Sequence, residues 1–168
     1  MHAIRVLEED HARIEALFER LADADDARDR DWLFERLEKE LTVHTLAEDN
    51  IFLPHVEEAV EDTRKATQQF FDEDALAEAS WLLAAAYENN GEIRTLMEQR
   101  QAARTEELNK AVRLHVELEE SLFSRAEKVL EAEDFERIGD LIEHCKWQVR
   151  GLVQARLASS ASFRPSPM

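Results

Sequence analysis

The chain has 168 residues, 44% of them apolar and 35% charged, with a formal net charge of -17. That length suits one domain with a sizeable core. The acidic balance, with no compensating basic stripe, argues against nucleic acid and anionic membrane as partners, and the single cysteine, Cys145, rules out an intramolecular disulfide framework.

Ala, Leu, Glu and Arg dominate a body that holds few Gly and Pro, which is helix-forming composition. Charge comes at once at Arg5, Glu8, Glu9 and Asp10, so no signal-peptide pattern opens the chain. No apolar run approaches the roughly eighteen residues that would span a bilayer. A cytoplasmic, all-α protein is expected, with its oligomeric state open.

Apolar residues recur at alternating steps of three and four, the seam spacing of helices packed nearly antiparallel. The first segment carries Ile4, Leu7, His11, Ile14, Phe18 and Leu21, and the polar run Asp23 to Asp26 predicts a turn. The second, starting near Asp31, carries Leu37, Leu41, His44, Glu48 and Ile51, and Pro54 is expected to kink or end it near Leu53. From Glu57 to Asp74 polarity is high and periodicity poor, so a connection or short helix is expected. The third segment carries Ala79, Leu83, Ala86, Asn90, Ile93 and Met97, and the fourth Leu108, Val112, His115, Glu119, Leu122, Ala126 and Val129. A fifth, with Asp134 as its expected N-cap, carries Phe135, Ile138, Ile142, Cys145, Val149 and Leu152. Cys145 is read as core packing. One domain over residues 1–157 is expected, followed by a disordered tail from 158 to 168.

Two His/Glu pairs, His44 with Glu48 and His115 with Glu119, lie in phase with core stripes. At about 100° per residue, four steps bring a side chain back to within roughly 40° of its starting direction, so each pair points at one spot. His11 joins them on the first stripe. Two carboxylates buried among Leu, Ile and Phe cost several kcal/mol each unless neutralised, and the stripes show no matching Lys or Arg at that level. A metal cation resolves the cost, and imidazole plus carboxylate suits iron, manganese or zinc.

The segments Glu9 to Ile14, His44 to Glu48 with Phe52 and Pro54, and His115 to Glu120 with Phe123 resemble the hemerythrin-like (HHE cation-binding) family over roughly Met1 to Leu130. The resemblance implies an up-and-down antiparallel four-helix bundle, here with an additional C-terminal helix, holding a carboxylate-bridged pair of irons. His11 and His44 would be terminal ligands on one iron and His115 on the other, with Glu48 and Glu119 bridging. Family members bind or sense oxygen, nitric oxide or peroxide, or handle iron. A small diatomic or peroxide ligand is the expected partner, and a peroxide-consuming or ferroxidase-like enzyme and a degenerate mono-metal or metal-free interaction module are the alternatives.

One position departs from the family pattern. Asn90 stands where a leading histidine is expected, and Ala86 one turn earlier. The replacement for that ligand is open between Asn90 itself, Tyr87, water, and Glu88 if the poor helix sequence Asn89-Asn90-Gly91 distorts the helix. His2, His55 and His144 are not expected to be ligands, and Trp32, Trp81 and Trp147 are read as packing elements.

Overall fold

A computed structural model describes residues 1–66, 73–99 and 105–161, and its regular structure is helical throughout. The elements are α1 (Ala3–Asp23), α2 (Ala27–Ala47), a π-helical turn (Glu48–Phe52), α3 (Leu53–Ala66), α4 (Glu73–Glu98), α5 (Thr105–Val129) and α6 (Ala132–Ala161). No helix among the described residues is long and apolar enough to cross a membrane.

Contacts fix the directions in which neighbours run. Arg125 near the end of α5 meets Glu78 near the start of α4, while Asn89 of α4 donates to the Ala111 carbonyl early in α5, so these two helices are antiparallel. In contrast, α6 runs parallel to α1: the Met1 amino group reaches Glu136 and Asp140, and Lys146 reaches Asp10 ten residues further along. Gly139 lets the start of the chain lie flat on α6, since a Cβ there would meet the Met1 carbonyl oxygen at 1.7 Å.

The stripes of α4 and α5 fall where their spacing puts them. Ala79, Leu83, Ala86, Asn90, Ile93 and Met97 are all buried, as are Leu108, Val112, His115, Glu119, Leu122 and Ala126. Elsewhere the structure corrects the reading. Helix α2 starts at Ala27 rather than near Asp31, because Asp26 caps it by accepting from the Arg28 N–H at 3.1 Å. Asp26→Ala removes that acceptor and is expected to cost about 1 kcal/mol in urea unfolding. Asp134 is not the N-cap of α6. It lies inside the first turn and accepts from the Glu131 N–H, the reach-back of a capping box.

Of the kink or end expected near Leu53, the end does not occur: Pro54 follows an irregular turn and the chain stays helical beyond it. The preceding turn widens: the Leu53 N–H bonds to the Glu48 carbonyl, five residues back, and α3 continues to Ala66. Asn50 Nδ2 donates to the Leu46 carbonyl and His55 Nδ1 to the Ile51 carbonyl, both at 2.6 Å, so side chains serve acceptors that a regular ladder would have used. Of the stretch expected as a connection or short helix, residues 57–66 belong to α3 and 73–74 to α4, with residues 67–72 outside the described part. The distortion considered at Asn89 to Gly91 does not occur, since α4 is α-helical through it.

At the C-terminal end, α6 extends through Ala161, past the expected domain limit at residue 157, and residues 162–168 of the expected tail lie outside the described part. Leu152 is exposed rather than on the core stripe, and Cys145 is partly buried against the apolar core, where burial raises its thiol pKa. The three tryptophans are mostly surface residues: Trp32 lies under the guanidinium groups of Arg20 and Arg36, and Trp81 and Trp147 are exposed.

The buried apolar side chains form two clusters. One gathers Leu7, Phe52, Val56, Leu122, Phe135 and Ile138, and the other Ile14, Phe18, Leu37, Leu41, Ile93 and Leu108. On α1, α2, α4 and α5 the chain passes from one cluster to the other through buried or part-buried polar residues: Asp10 and His11, His44 and Glu48, Asn89 and Asn90, His115 and Glu119. A polar layer thus crosses the interior between two apolar blocks.

Candidate metal centre

His11, His44, Glu48, His115 and Glu119 each bring one donor atom to this layer, and those atoms all lie within 4.8 Å of one another. His44 Nε2 stands 3.1 Å from His11 Nε2, 3.0 Å from His115 Nε2 and 2.8 Å from Glu48 Oε1. Glu119 Oε2 lies 2.6 Å from His11 Nε2 and 3.4 Å from His115 Nε2. His44, Glu48, His115 and Glu119 are at most 2% exposed, whereas the His11 side chain retains 11% and is the cluster's edge towards solvent.

Two of the imidazoles are oriented from behind. His44 Nδ1 faces Asp10 Oδ2 at 3.2 Å, and a carboxylate only accepts, so the proton is on Nδ1. His115 Nδ1 donates to Asn89 Oδ1 at 3.1 Å, the Asn89 amide being fixed by its donation to the Ala111 carbonyl. Both rings therefore aim Nε2 at the common centre, the arrangement by which proteins orient metal-binding histidines. Asn89→Leu keeps the volume but removes the acceptor behind His115. Metal affinity is expected to fall about 10–100-fold, as isothermal titration with Zn(II) or Mn(II) would measure.

Behind Asp10 stands Lys146 of α6, itself 2% exposed, with Nζ 2.6 Å from Asp10 Oδ1, and Arg13 pairs with the same oxygen. Burial by itself raises the Asp10 pKa, but His44 and Lys146 outweigh it and hold the carboxyl at about 2. The stripes are expected to offer no Lys or Arg at the level of the two glutamates, and Lys146, four residues after Ile142 on the stripe of α6, neutralises Asp10 rather than either glutamate. Asp10 and Asn89 were also missed as functional residues, and both sit three and four residues from buried apolar neighbours, Leu7 and Ile14 for one and Ala86 and Ile93 for the other.

The glutamates keep unmet demand. Glu48 Oε1 and both oxygens of Glu119 are buried without a well-formed hydrogen bond. With neutral histidines the cluster would hold two uncompensated negative charges, which is costly in this interior. Protons are the substitute in the bare chain. Burial lowers the pKa of His44, but Glu48, Asp10 and Glu119 override it and raise it to about 9, and His115 is likewise raised by Glu48 and Glu119 against the effect of burial. In turn His44 and His115 hold Glu48 well below the usual carboxylate range, against a burial effect that would raise it. Converging nitrogen lone pairs and orphaned carboxylate oxygens fit a divalent transition metal, and the five residues can hold one.

The residues considered for a further ligand separate clearly. Asn90 is fully buried beside the cluster and donates Nδ2 to Glu48 Oε2 at 3.0 Å and to Asp49 Oδ1 at 2.9 Å. Tyr87 is turned to Glu57, and burial with the charges of Glu57 and Asp49 pushes its phenol up to about 12, which disfavours a phenolate ligand. Glu88 is exposed. His2 stacks on Phe135, His55 is bound to the Ile51 carbonyl and His144 stacks on Trp147, so none joins the centre.

No family model, curated protein or solved structure matches the chain.

Proposed function

We propose that the chain is a hemerythrin-like protein in which α1, α2 with α3, α4 and α5 form an up-and-down four-helix bundle, α6 covers the α1/α2 side, and the polar layer holds non-haem iron. The observation that carries the reading is the convergence of three imidazole Nε2 atoms and two glutamate carboxylates with unmet hydrogen-bonding demand in one layer of the interior. The function supported is binding or sensing of oxygen, nitric oxide or peroxide in a cytoplasmic protein.

Iron, when bound, supplies redox chemistry and open coordination positions for a small oxidant. The protein's part is positional. Asp10 and Asn89 hold His44 and His115 in one tautomer, and the two apolar clusters exclude bulk water from both sides of the layer. A small molecule reaches the site most readily at His11, the ligand nearest solvent.

Metal analysis after anaerobic loading with Fe(II), followed by optical spectra with and without oxygen, nitric oxide, peroxide or azide, tests this reading. Metal uptake with a spectral response to one of these molecules is expected. A chain that takes up no transition metal removes the reading, and a loaded chain whose spectrum ignores every one of them removes the sensing role.

A further inference from the structure

The donor geometry points further, to a centre that holds one metal ion rather than a bridged pair, an inference that rests on the metal-binding reading. Around a single six-coordinate ion with metal–ligand bonds of about 2.1 Å, adjacent donors stand about 3.0 Å apart and opposite donors about 4.2 Å. The five donors show contacts of 2.6 to 3.4 Å, the spacing of neighbouring donors on one ion, and their outer limit of 4.8 Å means that the widest pair closes by up to about 0.6 Å around it. A pair of ions is normally held about 3.5–4 Å apart, and terminal ligands on different ions stand at least that far from each other unless they lean inward. His44 Nε2 and His115 Nε2, which a paired centre would assign to different ions, are 3.0 Å apart.

Asn90 supplies the independent observation. Its amide nitrogen, a donor with no lone pair to offer, occupies the side of Glu48 from which a second ion would be bridged, bonding Oε2 of that residue and Oδ1 of Asp49. The opposite amide orientation would turn a carbonyl oxygen against two carboxylates. Asp49, the other acceptor of that amide, is also paired with Arg94 at 2.7 Å, so a positive charge already serves it. The Glu48 carboxylate is thereby divided, with Oε2 held by the amide and Oε1 left without a donor on the side of His44 and His115. We propose that His11, His44, His115, Glu48 through Oε1 and Glu119 bind a single transition-metal ion, and that Asn90 closes the second position.

The test is metal content per folded chain after loading the full-length protein with excess Mn(II) or Fe(II) and removing unbound ions, read by mass spectrometry, with the Mn(II) paramagnetic resonance spectrum as a second readout. One ion per chain and the spectrum of an isolated, uncoupled ion are expected. Two ions per chain, or a spectrum broadened by a coupled neighbour, overturn the single-ion centre while leaving metal binding intact; no bound ion overturns metal binding itself. Asn90→His removes the amide and adds a donor in the same place, and is expected to raise the content towards two. If the variant folds and stays at one, the closing role of Asn90 is wrong.

Discussion

His115→Ala is expected to leave a helical chain whose thermal stability responds far less to metal. The imidazole touches both glutamates and His44, so its loss removes one donor and also the group that keeps the other two sides of the cluster together. Loss of a direct ligand should exceed the about 10–100-fold effect of groups that only orient one. At a metal concentration a thousandfold above the wild-type Kd, binding stabilises the fold by about 4 kcal/mol, and a site weakened a hundredfold retains only about 1.4 kcal/mol. Denaturation with and without Zn(II) or Mn(II), with helical content followed by circular dichroism, checks this. An equal metal-dependent shift in wild type and variant would place the binding elsewhere.

Lys146→Met is expected to destabilise the metal-free protein by about 3–5 kcal/mol, because it strips a buried carboxylate of its buried cation. The lower end is expected, since Arg13 and His44 still reach Asp10. With Asp10 held at about 2, its stabilising share is complete above the ordinary carboxylate value of 3.8 and is lost as the pH falls towards 2. Weaker pairing in the variant moves that loss upward in pH. Combining Lys146→Met with Asp10→Asn removes both charges together, so the double variant should lose clearly less than the sum of the single losses. Urea unfolding of all four proteins measures the coupling, and strict additivity would show that the pair contributes nothing as a pair.

The five ligand candidates were legible because helical phase and burial are local properties of a sequence. His44 and Glu48, or His115 and Glu119, share a face whatever lies opposite, and their neighbours at three and four residues announce that the face is apolar. Asp10, Asn89 and Lys146 carried the same signal and were passed over, because an isolated polar residue on a stripe acquires meaning only from what another helix sets against it. Lys146 stands 136 residues from Asp10 in sequence, and nothing local ties the two together. Asn90 was legible as a departure from pattern, but not its direction of bonding, which depends on Glu48 and Asp49 across the interface. Pro54 marked the place of an irregularity but not its form: the ladder widens in the turn before it, and the helix resumes instead of ending.

That widened turn has a consequence for how the long helix tolerates change in length. A π turn accommodates a surplus residue locally, so the chain beyond it keeps its phase on the core. Trimming one residue from Glu48–Phe52 would let the ladder close regularly and leave Val56 and Val60 facing the core, whereas trimming one from a regular stretch of α2 would turn everything downstream by about 100°. Glu48 opens that turn, and the direction from which its carboxylate enters the polar layer is set by the irregularity it begins.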